Sequence, residues 1–123
     1  MKLLVDTHVA IWWLAGDKRL SEEARTAIAD AGVDACVSVA SIWEASIKRS
    51  AGRLLGPDLA AALSAAGLPF LQIDERHAKV AGELPLVHRD PFDRMLVAQA
   101  SIERLSIVTG DTQIAKYDVP VIW

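Results

Sequence analysis

Short apolar runs alternate along the chain with longer segments of helical character, and punctuating residues separate them. Leu3-Leu4-Val5 predicts a strand that ends at Asp6, and Thr7 to Ala15 predicts a helix stopped by Gly16. Ser21 followed by Glu22 and Glu23 marks a second helix through about Ala31, with Gly32 ending it. Ala35 to Val39 reads as a buried strand, and Ser41 opens a helix that carries Ile42, Trp43 and Glu44 and stops near Gly52. Pro57 to Ala66, with Gly67 after it, has the proline-first, glycine-last asymmetry of a helix, and Phe70 to Ile73 is its partner strand. Asp74 caps a helix through about Gly82, and Asp90-Pro91 opens the clearest helix, Pro91 to Leu105. A strand from Ser106 to Thr109, a helical turn around Thr112 to Lys116 and a strand from Val119 to Ile122 complete the pattern. Alternation of this kind predicts an α/β layer fold with a mainly parallel sheet.

Composition narrows the picture. A chain of 123 residues with 52% hydrophobic residues reads as one domain, 1–123, with a real core rather than a disordered segment. Its 13 Lys and Arg against 16 Asp and Glu give a net charge of −3, so nucleic acid is not gripped here through bulk positive charge. If nucleic acid is the partner, something else supplies cations. Cys36 is the single cysteine, which excludes an internal disulfide and cysteine-based zinc sites and predicts a reducing, cytoplasmic setting. Asp6 interrupts the first apolar run before it reaches signal-peptide length, and Val9 to Ala15 is too short to cross a bilayer, so no membrane role is expected.

In a parallel sheet the ligand crevice lies at the carboxyl ends of the strands. Asp6 ends the first strand, Glu44 sits in the first turn after the second, Asp93 follows Asp90-Pro91, and Asp111 follows the strand ending at Thr109. Taken singly, each has a structural explanation: Asp6 and Asp111 as N-caps, Ser41 to Glu44 as a capping box, Asp93 at a dipole-favoured site. Capping does not predict that all four gather on one rim. Hard carboxylate oxygens without soft ligands suit Mg²⁺ or Mn²⁺, and a site of that kind hydrolyses phosphodiesters. A receiver domain or aspartyl phosphatase fits less well, because Val5 precedes Asp6 and His8 stands two residues after it. No Gly-rich phosphate loop and no G-x-S-x-G turn is present.

The stretches Leu3-Leu4-Val5-Asp6-Thr7-His8, Ser38-Val39-Ala40-Ser41-Ile42-Trp43-Glu44, Asp90-Pro91-Phe92-Asp93-Arg94-Met95-Leu96-Val97-Ala98-Gln99-Ala100 and Ile107-Val108-Thr109-Gly110-Asp111, in that order, resemble the PIN-domain ribonucleases, most closely the VapC-type toxins of bacterial toxin-antitoxin pairs. The resemblance implies a three-layer α/β/α sandwich and a Mg²⁺- or Mn²⁺-dependent endoribonuclease. It also implies a small antitoxin partner and a homodimer or toxin-antitoxin hetero-oligomer. Carried over by position, the acidic set falls on Asp6, Glu44, Asp93 and Asp111. Asp90 competes with Asp93 for the third place, and Thr7 and Thr109 match supporting, water-positioning hydroxyls.

Lys48, Arg49 and Arg53 follow Glu44, and Arg94 follows Asp93; each is a candidate RNA contact beside an ordinary role as a solvated or salt-bridging side chain. His8, His77 and His88 read as structural or surface residues. The run Val9 to Leu14 is apolar all round a helix, so part of it faces the core and one of Trp12 and Trp13 is left available, which the resemblance to dimeric toxins implies serves self-association or an antitoxin. A competing functional reading is a non-catalytic RNA-binding or regulatory module on the same fold, against which the intact acid set speaks.

Overall fold

Leu3–Val5 (β1) is completely buried and runs between two neighbours. The computed structural model describes every residue except Met1, Gly32, Val33, Leu55 and Pro57. Among the described residues, β1 is followed by helices α1 (Thr7–Ala15) and α2 (Glu22–Ala31), strand β2 (Ala35–Ser38), helices α3 (Val39–Ser50) and α4 (Leu59–Ala65), and strand β3 (Phe70–Leu71). Then come helices α5 (Glu75–Glu83) and α6 (Pro91–Glu103), strand β4 (Ser106–Val108), a 3₁₀ turn (Ile114–Lys116) and strand β5 (Val121–Ile122). The strands form one five-stranded sheet in the order β3-β2-β1-β4-β5, and every pair is parallel.

Alternation along the strands divides the core between the two faces. Leu3, Val5, Ala35, Val37 and Val108 join Val9 and Ala10 of α1, Ala24 and Ile28 of α2, Ala45 of α3, and Leu59 and Leu63 of α4. Leu4 and Ile107 face the other way and join Leu96, Val97 and Ala100 of α6 with Ile114 and Tyr117. Helices therefore cover both faces, and the predicted α/β/α layering with its parallel sheet is what the chain adopts.

Several boundaries differ from the sequence reading. Strand β2 stops at Ser38, whose side chain caps α3 by accepting from the Ala40 amide at 3.0 Å. The predicted capping box from Ser41 to Glu44 is therefore absent. Ser41 lies inside the first turn, where its Oγ accepts the Thr7 hydroxyl at 2.7 Å, and Glu44 moves to the second turn. Strand β3 is two residues long rather than four, and β5 begins at Val121 rather than Val119. Helix α6 stops at Glu103 because Arg104 turns into the left-handed region at φ 58°. Helix α4 is capped by Asp58, and the expected roles of Pro57 and Gly32 fall outside the described residues.

The run in α1 is only partly buried. Val9 and Ala10 are in the core, while Ile11, Trp12, Trp13 and Leu14 pack against it half-buried. Between α1 and α4 lies an apolar groove of about 370 Å³ lined by Ile11, Leu14, Leu54, Leu59 and Ala62.

Candidate active site

The sheet changes direction at β1, since β2 lies on one side of it and β4 on the other. The register pairs Val5 with Val108, so Asp6 and Thr109 leave the sheet side by side at the carboxyl ends of the two strands. Polar groups placed there line the crevice that such a reversal opens. A cleft of about 370 Å³ occupies that position, and Asp6, Glu44, Asp90, Asp93 and Asp111 all line it, together with His8, Trp12, Lys48, Gly110 and Trp123. The four acids expected to converge are together on one rim, with Asp90 as a fifth.

Capping explains little of this arrangement. Asp6 occupies the N-cap position of α1 but makes no side-chain cap bond. Its Oδ2 accepts the Thr109 hydroxyl at 2.7 Å instead, and the Thr109 Oγ accepts the Asp111 amide at 3.0 Å, which ties the ends of β1 and β4 into one unit. Glu44 is 5% exposed; its Oε2 accepts from Lys48 at 3.1 Å, and its Oε1 is buried with no hydrogen-bond partner among the described residues. Asp90 is the acid that caps, accepting from the Phe92 and Asp93 amides at 2.8 and 3.3 Å. That leaves the Asp93 carboxylate, in the first turn of α6, lining the cleft. Asp111 closes a local turn by accepting from the Gln113 amide at 2.8 Å.

The charges are not balanced. Burial pushes the Asp6 carboxyl above its ordinary value, against the Thr109 hydrogen bond that lowers it. Asp93 is raised from 3.8 to about 7, first by burial and then by the charges of Asp6 and Asp90. A buried carboxylate atom without a donor is costly. Glu44 Oε1 and the mutually repelling Asp6 and Asp93 therefore make a donor set that a hard divalent cation fits, and every acid in it offers oxygen only.

His88 was missed by the sequence reading. Its Nε2 lies 2.9 Å from Asp93 Oδ2 and 3.2 Å from Asp111 Oδ2, which places the imidazole between two of the site acids. Its position five residues before Asp93 carried no periodic signal, because residues 84–90 belong to no regular element.

The supporting residues separate. Thr109 holds Asp6, whereas Thr7 is buried and bonds Ser41 behind the cleft. Lys48 reaches the rim. Arg49 and Arg53 are exposed and do not line the cleft, and Arg49 lies 3.8 Å from Asp58. Arg94 corrects the expectation of an RNA contact. It is 9% exposed, and its guanidinium donates to the carbonyls of Ala81, Gly82, Leu84, Pro85 and His88, so its donors are engaged inside the protein.

Comparison with known proteins agrees with this architecture. A family profile described as PIN domain matches residues 3–120. Solved structures of similar fold include a toxin-antitoxin complex from Klebsiella pneumoniae, at 17% identity and TM-score 0.71, covering 99% of this chain and 97% of that one. VapBC2 from Rickettsia felis bound to a promoter DNA fragment matches at 10% identity and TM-score 0.72, covering 98% and 97%. DNA-bound VapBC from Salmonella typhimurium matches at 18% identity and TM-score 0.72, covering 98% and 96%. No curated protein matches the chain in sequence.

Proposed function

Because the chain belongs to the PIN domain family, we propose that it is a divalent-metal-dependent endoribonuclease that acts as the toxin of a toxin-antitoxin pair. The observation that carries this reading is the gathering of Asp6, Glu44, Asp93 and Asp111 in one cleft, where burial and mutual repulsion leave negative charge uncompensated. Asp6, Glu44, Asp93 and Asp111 would hold Mg²⁺ or Mn²⁺. Once bound, the ion supplies positive charge for a scissile phosphate and a more acidic water as nucleophile.

The chain's own groups do the rest. Thr109 orients the Asp6 carboxylate, and the Asp111 amide in turn orients Thr109. Lys48 stands at the rim on the Glu44 carboxylate, where its ammonium meets an incoming phosphate oxygen. With only Lys48 among the described cleft residues carrying a fixed positive charge, RNA affinity depends on the bound ion. The apolar groove between α1 and α4 is the seat proposed for an antitoxin helix, in keeping with the toxin-antitoxin complexes of similar fold. No helix among the described residues is long and apolar enough to cross a membrane.

The test is incubation of antitoxin-free protein with total cellular RNA in Mg²⁺, in Mn²⁺ and in EDTA, with new ends mapped. Discrete cuts are expected with metal, none in EDTA, and Asp6→Asn is expected to lower the rate by roughly 100-fold or more while leaving the fold intact. Cleavage that persists in excess EDTA overturns the metal mechanism. Absence of cuts from folded protein under every condition favours the binding-module reading.

A further inference from the structure

His88 is held at every polar atom it has. Its backbone amide donates to the Tyr117 hydroxyl at 2.9 Å, and its carbonyl accepts from Arg94 Nη1 at 3.3 Å. Its Nδ1 accepts the Asp90 amide at 3.2 Å. An acceptor nitrogen carries no proton, so the ring proton sits on Nε2. That proton is donated to Asp111 Oδ2 at 3.2 Å, and Asp93 Oδ2 lies 2.9 Å from the same nitrogen. The same tautomer leaves no lone pair on Nε2 for an ion, and Nδ1 is occupied by a main-chain donor.

Resting on the metal reading above, we propose that His88 is a positioning residue: its Nε2–H binds the Asp111 carboxylate while the same nitrogen sits against Asp93, so that it holds the two carboxylates side by side as a clamp and stays off the ion, and the cleft takes a divalent cation through oxygen alone. Although His88, Asp93 and Asp111 lie close enough together to suggest a mixed nitrogen and oxygen metal site, the Asp90 amide rules out the imidazole as ligand in this conformation. The consequence is selectivity. A cleft of carboxylates without an available imidazole favours Mg²⁺ and Mn²⁺ over the nitrogen-seeking Zn²⁺ and Ni²⁺. Without the clamp the two carboxylates repel each other, and the ion has to draw them together as it binds.

Two measurements on the full chain without RNA decide it. The first is Mn²⁺ binding, followed by electron paramagnetic resonance, for the unaltered protein, His88→Ala and His88→Gln. The glutamine amide keeps a donor at the Nε2 position and the alanine does not. His88→Ala is expected to weaken binding by roughly 10- to 100-fold, with His88→Gln recovering most of the loss. The second is read on the unaltered protein: long-range ¹H–¹⁵N correlation of the imidazole in the metal-free and Mg²⁺-loaded states, with the resonance assigned by its loss in His88→Gln. Protonated Nε2 in both states is expected.

Equal binding by all three proteins overturns the clamp. Loss of the Nε2 proton on Mg²⁺ addition, with no rescue by glutamine, makes His88 a ligand and overturns the proposal in the opposite sense. Protonated Nδ1 in the metal-free protein defeats the clamp alone. Failure of the unaltered protein to bind Mn²⁺ defeats the metal reading of the cleft and, with it, the claim about the ion.

Discussion

Asp93 shows how strongly position governs a single carboxyl group. Asp17 and Asp74, each beside an arginine at the surface, are held down at about 2 by hydrogen bonds from Arg19 and Arg76. Asp93, half-buried among Asp6, Asp90 and Glu44, is raised to about 7. The sign of its effect on stability follows. Between an unfolded value near 3.8 and a folded value near 7, the folded chain holds a proton that the unfolded chain has released. Its contribution is complete below that window and is lost as pH rises through it. Asp6, also raised, acts in the same direction. In EDTA the melting temperature is therefore expected to fall between pH 5 and pH 8, and excess Mg²⁺ is expected to reverse most of the fall at pH 8. A flat profile in EDTA argues that the carboxylates are not packed as described. His77 and His88 add a lesson at the same scale, since both accept a main-chain amide at Nδ1 and face a carboxylate through Nε2. In His77 the pattern completes a capping box at the start of α5, and in His88 it reaches the cleft. Residue type alone does not distinguish them.

At the scale of elements, the parts legible in the sequence are those fixed by local chemistry. Gly16 ends α1 in a left-handed conformation, Ser21 accepts from the Ala24 amide, and Asp74 and Asp90 cap α5 and α6, all as their sequence contexts predict. The start of α3 was misplaced by three residues. Ser38 and Ser41 are equivalent as caps by type, and the choice between them rests on Thr7, which reaches across from α1 to bond Ser41. Arg94 was misread for a related reason: a basic residue near a helix start reads as exposed, yet here it serves carbonyls that no helix or strand satisfies. It fastens residues 81–88 to α6 and so fixes the segment that carries His88. Lysine retains the charge but cannot reach so many acceptors at once. Arg94→Lys is expected to cost about 2 kcal/mol or more in urea denaturation, because the buried Ala81 carbonyl and the part-buried carbonyls beside it lose their donor. A change within about 0.5 kcal/mol would show that water replaces the guanidinium without penalty.

Across the whole molecule, the site draws on residues separated by most of the chain. The Asp6–Thr109 hydrogen bond spans 103 positions, Asp6 and Asp111 meet on one rim, and Glu44 arrives from between them. Strand ends and helix starts placed those acids in the sequence because the topology of a parallel sheet brings carboxyl ends together. The loop residue His88 and the burial of Glu44 could not be read the same way, since neither follows from a period. Strand β4 also closes the second side of β1, and β5 pairs with β4 beyond it. A chain stopped after residue 105 leaves β1 with an open edge and lacks Thr109 and Asp111. Such a fragment is expected to show neither Mg²⁺-dependent stabilisation in thermal melts nor RNA cleavage, and retention of either would mean that β4 is dispensable to the cleft. The order of synthesis gives this arrangement a biological timing. Translation delivers Asp6 long before Thr109 and Asp111, so under the proposed function a nascent polypeptide gains its full set of acids only once β4 has been made and has paired with β1.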